Sequence, residues 1–274
     1  MNKEKKFYTA KYDRVFKTIL CNEDDTKLFQ EFLSRILKKK VEIVEFLRNE
    51  LPVNTTLEKV KTVDVLVKVD NDYIHIELNT NYNNYLHIRN YIYFSTLYSN
   101  KVKRGEKYDL KTKFLHLDFT YGLGLEKEEK INYYIQSEVG EKYLENIEII
   151  EYNMDKIMKY WYNEDIQKVN EYKHLIMLDL ETDELDKLSK GDDFVKEFND
   201  KITELNEKET FQSAMTYEED QRLILNTEKS ISYNEGMEER NIEIAKSMLN
   251  KNINKEIISE CTGLSLDEIN NLKQ

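Results

Sequence analysis

Two acidic side chains interrupt an apolar segment, VDVLVKVDNDYIHIELN, which spans residues 63–79. They are Asp64 and Glu77, thirteen positions apart, and they stand where strands usually carry valine, isoleucine or threonine. The polar residues in the middle of the segment are typical of a tight turn, so the segment predicts a β-hairpin. Carboxylates and the amide oxygen of Asn79 are hard ligands that suit Mg²⁺, Mn²⁺ or Ca²⁺ rather than zinc.

The register of this hairpin decides whether the side chains meet. A two-residue turn at residues 71–72 pairs Asp64 with Asn79 and Leu66 with Glu77, which makes the two acids diagonal neighbours, roughly 7–8 Å apart at the backbone. Carboxylates this close repel each other unless a cation lies between them. On pattern alone, the alternation favours a hairpin with one solvated face, in which the acids bind nothing. The apolar first strand and the strand and helix signals that follow favour a central strand instead.

The surrounding elements predict a mixed α/β fold. We expect two amphipathic helices between Asp13 and Leu37, a strand at VEIVEFLR (residues 41–48), and then the hairpin. A tyrosine-rich helix over residues 85–102 and strands at TKFLHLDFTY, INYYIQSE and NIEIIEYNM follow, and helices dominate from Met154 onward. The prediction is therefore a mixed central β-sheet flanked by helices, with a helical C-terminal extension.

The composition predicts a folded, soluble chain without a membrane span. Glycine (7) and proline (1) are scarce among the 274 residues, which argues against long flexible linkers. No run approaches the ~18 apolar residues of a membrane-spanning helix, and two distant cysteines fit the reduced cytoplasm. We expect a main domain over residues 1–180, a helical extension over residues 181–235 and a C-terminal tail over residues 236–274.

The tail ends in a helix-turn-helix pattern. Gly263 marks a turn, and Ser265 followed by Glu268 matches the S-x-x-E capping box that opens a further helix. Such a form can contact DNA. However, residues 237–274 carry 5 basic and 7 acidic side chains, a poor balance for binding phosphates. We therefore expect the tail to serve homo-oligomerisation or regulation.

The net charge of −12 is unevenly distributed along the chain. Residues 1–113 hold 22 Lys and Arg against 16 Asp and Glu, whereas the remaining residues hold 19 against 37. A polyanion such as DNA would therefore meet the N-terminal part. A charge run at a helix end is usually only solvated, but some of these residues are placed to meet backbone phosphates. They are Arg89, Lys101, Lys103, Arg104 and Lys107.

Four blocks of sequence, spread over nearly the full chain, form one further pattern. They are YDRVFKTIL, the hairpin with its D…E-x-N residues, IRNYIYFSTLYSNKVKRGEKYDLKTKFLHLDF, and YEEDQRLILNTEKSISYNEGMEERNIEIAKSMLNK followed by TGLS. In this order they resemble the PD-(D/E)XK nuclease superfamily, and more closely its recombination-promoting nuclease branch, the PD-(D/E)XK family transposases. The resemblance implies a restriction-endonuclease-like core and a metal-dependent DNA endonuclease linked to recombination, mobile elements or defence.

The resemblance also implies roles for single residues. Asp64 and Glu77 would hold Mg²⁺, or Mn²⁺ or Ca²⁺ in its place. Asn79 stands where the superfamily has lysine and this branch usually has glutamine. Because its side chain is an uncharged amide, it cannot act as a cation, but it could orient a water molecule. Lys17 is the candidate for the missing positive charge, or else a solvated helix lysine, and Asp13 is a further acid of the site or a helix cap. The departure at Asn79 keeps an alternative function open, that of a weak or inactive relative that binds nucleic acid or protein.

Overall fold

The computed structural model of the protein has two compact units, one ending at Lys208 and the other beginning at Glu209. It describes residues 5–42, 45–47, 50–51, 61–62, 64–100 and 111–272. The first unit contains a mixed β-sheet with its helices, and the second contains helices. None of the described helices is both long enough and apolar enough to cross a membrane.

A six-stranded sheet lies at the centre of the first unit, in the strand order β1-β4-β5-β6-β8-β7, and β2 pairs with β3 separately. The strands are β1 Glu45–Phe46, β2 Glu50–Leu51, β3 Lys61–Thr62, β4 Val65–Val69, β5 Asp72–Asn79, β6 Phe114–Thr120, β7 Lys130–Tyr133 and β8 Ile147–Asn153. The β5–β6 and β6–β8 pairs are parallel, whereas the β1–β4, β4–β5 and β7–β8 pairs are antiparallel. Strand β5 is therefore a central strand, as expected.

The helices of the first unit pack on the sheet or on one another. They are α1 Asp13–Leu20, α2 Lys27–Leu37, α3 Leu86–Asn100, α4 Met154–Tyr162, α5 Ile166–Ile176, α6 Thr182–Leu188 and α7 Asp193–Glu207. Phe32 of α2 links two layers, because its ring lies 5.8 Å from Phe16 of α1 and 6.0 Å from Phe119 of β6. The predicted mixed sheet flanked by helices is confirmed, and the predicted end of α3 at Val102 lies outside the described residues.

The hairpin of β4 and β5 forms in a different register from the predicted one. Leu66 pairs with His75 and not with Glu77. The tight turn begins at Asp70, one residue earlier than predicted, and Asp70 has a φ of 54°, which aspartate tolerates better than most residues. Since both strands shift by one residue, the polar side chains stay on one face. Continuing the ladder by one pair places Asp64 opposite Glu77, closer than the predicted diagonal arrangement.

The second unit contains α8 Glu209–Asn250, α9 Lys255–Thr262 and α10 Leu266–Asn271. A small apolar cluster of Ala245, Ile258, Leu264 and Ile269 holds the end of α8 against the two short helices. Gly263 adopts a left-handed φ of 71° between α9 and α10, as its position in the pattern predicts. The predicted capping box is confirmed, because the Ser265 hydroxyl accepts from the Glu268 backbone while Glu268 accepts from the Ser265 N–H.

Candidate active site

A row of buried acids crosses three parallel strands at one level. Glu77 on β5 is in register with Asp118 on β6, and Asp118 is in register with Glu151 on β8. These three residues are only 4%, 2% and 1% exposed. The neighbouring rows on the same face, two residues earlier and two later, contain His75, His116, Asn79, Thr120 and Asn153, all of them buried. The interpretation of the hairpin as having one solvated polar face is therefore wrong.

Asp64 and Glu77 are held side by side by backbone and side-chain contacts. The Asp64 N–H donates to Glu77 Oε1 at 3.2 Å, and the Leu78 N–H donates to Asp64 Oδ2 at 2.8 Å. His75 Nε2 also contacts Glu77 Oε1, at 2.8 Å. The other oxygen of each carboxylate, Asp64 Oδ1 and Glu77 Oε2, has no hydrogen-bond partner among the described residues. The nearest cation to Glu77 Oε2 is Arg89 Nη2, at 3.9 Å.

Both carboxyl groups resist ionisation in this position. Burial raises the pKa of Asp64 to about 7, and the adjacent Glu77 carboxylate adds to the effect. Burial also raises the pKa of Glu77 to about 7, although the positive charges of His116 and Arg89 oppose that change. Two acids whose charges are so costly together would be stabilised as anions by a cation placed between them.

The donor set fits a hard divalent cation. Mg²⁺ is usually bound through one or two carboxylates and keeps several of its water ligands. Asp64 and Glu77 offer one uncommitted oxygen each, at adjacent positions of a paired hairpin. Among the residues that the structure describes, no group of three or more His, Cys, Asp or Glu side chains is arranged to hold a metal. A site made by these residues would therefore have two carboxylate ligands, which is compatible with Mg²⁺ or Mn²⁺.

A chain of contacts leads from Glu77 into the sheet. His75 Nδ1 lies 2.8 Å from His116 Nδ1, and His116 Nε2 lies 3.0 Å from Asp118 Oδ1. The latter contact is an ion pair rather than a well-aligned hydrogen bond, because His116 Nε2 has no partner of suitable geometry. Burial alone would lower the pKa of His116, but the neighbouring acids Asp118, Glu77 and Glu151 together outweigh burial and raise it. Burial and the neighbouring His116 lower the pKa of His75, so His116 binds a proton more readily than His75.

Asn79 is fixed by partners on both sides of its amide group. Its Nδ2 donates to Asp118 Oδ1 at 3.1 Å, and its Oδ1 accepts from Arg89 Nη2 at 2.7 Å. Asn90 completes a ring of contacts, because its Nδ2 donates to the same Asp118 oxygen at 2.7 Å and its Oδ1 accepts from Arg89 Nε at 3.2 Å. Helix α3 thus places a guanidinium group directly on Asn79.

Lys17 and Asp13 lie on α1 and form an ion pair with each other at 2.8 Å. Asp13 is the first residue of α1 and its N-cap is Tyr12, so the interpretation of Asp13 as the helix cap is wrong. Both side chains act electrostatically on Asp64, since Asp13 raises its pKa and Lys17 lowers it. Helix α1 therefore contributes charges to the surroundings of the carboxylate pair.

Of the five predicted phosphate contacts, only Arg89 lies in the described part of the chain. It belongs to α3, and its side chain is 45% exposed. The other four, which have no described structure, are Lys101, Lys103, Arg104 and Lys107.

Sequence reasoning missed most of the acidic row. The hairpin register allows His75 to lie near the site, but the sequence favours a surface position, whereas its side chain is fully buried. Glu151 accepts hydrogen bonds from the Tyr133 hydroxyl at 2.9 Å and from the Thr120 hydroxyl at 3.2 Å, and His87 Nε2 lies 3.0 Å from it. A cavity of about 250 Å³ opens beside the row. It is lined by His87, Asn90, Tyr91, His116, Asp118, Tyr133 and Ile149.

Two family models match the chain, and together they account for nearly all of it. The model described as PD-(D/E)XK nuclease family transposase matches residues 10–234. The model described as Rpn/YhgA-like nuclease family, C-terminal HTH domain, matches residues 238–274. No curated protein and no solved structure matches the chain significantly. The two matches indicate a nuclease- or transposase-related function with DNA as the partner.

Proposed function

Because the chain belongs to the PD-(D/E)XK nuclease family transposases, we propose that it is a metal-dependent DNA endonuclease that hydrolyses phosphodiester bonds in recombination, mobile-element transfer or defence. The observation that carries the proposal is the pairing of the Asp64 and Glu77 carboxylates. Each has one oxygen anchored by a backbone N–H and one without a partner in the described structure. The family match supplies the reaction class, and this pair supplies a site for the ion.

The residues around the pair have distinct proposed roles. Asp64 and Glu77 would hold Mg²⁺ or Mn²⁺, which when bound lowers the pKa of a water molecule and neutralises charge on the scissile phosphate. The His75 imidazole and the Asp64 N–H fix the Glu77 carboxylate through its Oε1, so Oε2 would be free to bind the ion. Asn79 would orient the water or a neighbouring cation, and Lys17 would meet the phosphate from α1.

DNA would be held largely through its backbone. Arg89 would make this contact from α3, together with the four basic residues that follow that helix, namely Lys101, Lys103, Arg104 and Lys107. Phosphate contacts of this kind give affinity that falls steeply with salt concentration and carry little sequence specificity. We expect cleavage of many sequences rather than of one defined site.

The function is tested by nicking of a supercoiled plasmid with Mg²⁺ or Mn²⁺. We expect the wild type to convert plasmid to open circles, Glu77→Ala and Asp64→Asn to lose this activity, and EDTA to abolish it. The fluorescence of Trp161, the only tryptophan, reports whether each variant keeps the first unit folded. Cleavage that persists in both folded variants would refute the assignment of the metal ligands.

A second candidate function is that of an inactive relative that binds nucleic acid or protein. The departure at Asn79 favours it, because an amide cannot replace the charge of lysine. In this case wild type and Glu77→Ala would be equally inactive with either metal, and both would bind a labelled DNA duplex with the same affinity. The plasmid assay and a binding titration therefore separate the two functions.

The C-terminal tail, residues 236–274, is proposed to join copies of the chain together with the part of α8 that precedes it. Three apolar residues of α8, Tyr217, Ile224 and Ile231, recur at seven-residue spacing and are all more than half exposed. Such a stripe is typical of a helix that pairs with another helix. Ile224→Glu should lower the molar mass measured by light scattering, whereas Glu228→Gln on the same helix should not. A monomeric wild type would refute this proposal.

A further inference from the structure

The amide of Asn79 has one orientation that satisfies its neighbours. The Asp118 carboxylate can only accept hydrogen bonds, so the Asn79 NH₂ group must face it. The Asn79 oxygen then faces helix α3, where Arg89 Nη2 donates to it at 2.7 Å. A short, charge-assisted hydrogen bond of this kind holds the guanidinium in place. Asn79, at the position where the superfamily has lysine, therefore accepts a hydrogen bond that docks an arginine.

The guanidinium of Arg89 contacts the site along one edge only, that of Nε and Nη2. Its Nε donates to Asn90 Oδ1 at 3.2 Å and its Nη2 to Asn79, while Glu77 Oε2 lies 3.9 Å from Nη2. Its Nη1 has no hydrogen-bond partner among the described residues. Since the side chain is 45% exposed, donors remain free on the open side of the site. A planar guanidinium with free N–H groups matches the oxygens of a phosphate.

Lys17 is a weaker source of the same charge. Its Nζ lies 2.8 Å from the Asp13 carboxylate, so its charge is already compensated. Arg89 Nη2 lies 3.9 Å from Glu77 Oε2, and at this distance the two do not form a close ion pair. Among the described residues, the free positive charge adjacent to the carboxylate pair therefore comes from α3 rather than from α1.

From these contacts we propose that Arg89 is a catalytic residue, which supplies from helix α3 the positive charge that a lysine at position 79 would supply from the strand. Its guanidinium binds a non-bridging oxygen of the scissile phosphate and stabilises the charge that develops there. Asn79 is a positioning residue that orients Arg89. The inference rests on the proposed nuclease function and names a group that this function requires.

The first test compares single-turnover plasmid cleavage with DNA affinity measured in EDTA. Arg89→Ala should slow cleavage roughly 100-fold or more, while its affinity for DNA changes less than about threefold, as for the loss of one phosphate contact. Lys17→Ala should slow cleavage far less, and Arg222→Ala, which removes an exposed arginine of α8, should not slow it. The double variant Asn79→Lys/Arg89→Ala should recover at least part of the lost rate, because it returns a cation to the strand.

Several outcomes of this test would overturn the proposal. Wild-type cleavage by Arg89→Ala would do so, as would a loss of rate fully explained by weaker DNA binding. A large effect of Lys17→Ala with none of Arg89→Ala would assign the charge to α1. No recovery in the folded Asn79→Lys double variant would show that Arg89 does not take the place of the lysine.

A second test does not depend on cleavage, and it separates this inference from the nuclease proposal. Titration calorimetry with Mn²⁺ measures the binding of the ion to the carboxylate pair. Removing a positive charge beside Glu77 should tighten this binding roughly threefold to tenfold in Arg89→Ala, and should leave it unchanged in Arg222→Ala. If the wild type cleaves no DNA, the nuclease proposal fails. An unchanged Mn²⁺ affinity in Arg89→Ala would overturn the placement of the charge whether or not cleavage occurs.

Discussion

The carboxylate pair should make the metal-free protein less stable at neutral pH than a variant that lacks one of the charges. Asp64 and Glu77 lie together, and the cations near them compensate only part of their charge. In Asp64→Asn, the side-chain oxygen can still accept from the Leu78 N–H, so the geometry is kept and only the charge is lost. We therefore expect Asp64→Asn to raise the free energy of unfolding of the metal-free protein at pH 8.

The sign and size follow from the pKa of Asp64 in the two states. The pKa rises from 3.8 to about 7 on folding, so the folded state keeps protons that the unfolded state releases between these values. Stability therefore falls as pH rises through this window, and the loss is complete above it. A rise of roughly three pKa units corresponds to about 4 kcal/mol. Partial exposure of Asp64 to solvent reduces this, so we expect a gain of about 1–3 kcal/mol.

Thermal unfolding followed by Trp161 fluorescence measures this effect, because the only tryptophan lies in α4 of the first unit. For a unit of this size, the gain corresponds to a rise in Tm of about 3–10 °C at pH 8. The gain should disappear below about pH 3, where Asp64 is protonated in both states. Asp24→Asn, at an exposed turn, is the control and should change Tm little at either pH. A variant with equal or lower Tm at pH 8, or a gain independent of pH, would refute the reasoning.

Three further predictions concern the ion, the arginine and the tail. Mg²⁺ should raise the Tm of the wild type at pH 8 by mass action and should have almost no effect on Asp64→Asn, and equal shifts in both would mean that the ion binds elsewhere. Asn79→Ala and Arg89→Ala should be non-additive in cleavage rate, with the double variant no slower than Arg89→Ala alone. If the two rate losses multiplied instead, the two residues would act independently. Ser265→Ala should destabilise the α9–α10 region by about 1 kcal/mol through loss of its cap. Faster amide exchange in that region measures this, and unchanged exchange would contradict it.

The fold could be predicted because each strand and helix follows from the local periodicity of its apolar and polar residues. The hairpin, the strands β6 to β8 and the helices at either side all follow from apolar periodicity, and Gly263 with its capping box follows from turn chemistry. The exact register did not follow, because an aspartate–asparagine turn and an asparagine–aspartate turn are chemically alike. The two registers differ only in whether Asp70 or Asn71 begins the turn.

The acidic row was harder to predict because it is formed across strands that are distant in sequence. FLHLDFT carries polar residues at alternate positions, and IEIIEYN does so at its end, with Glu151 and Asn153. This is the same signal that singled out Asp64 and Glu77. That signal marks Asp118 and Glu151 as unusual, but only the parallel register of β5, β6 and β8 places them beside Glu77. The position of Arg89 depends further on how α3 packs, which periodicity does not specify.

The charge balance of the row explains why an asparagine suits position 79. Asp118 already has His116, whose pKa it raises, at 3.0 Å and accepts hydrogen bonds from Asn79 and Asn90. A lysine at position 79 would bring a second cation to a carboxylate that is already paired. It would also lie against the Arg89 guanidinium, from which Asn79 accepts a hydrogen bond. Because like charges in a buried position are costly, Asn79→Lys alone should unfold at lower temperature than Asn79→Lys/Arg89→Ala. If the two variants were equally stable, a lysine at position 79 and Arg89 would not repel each other, and the idea that one replaces the other would be wrong.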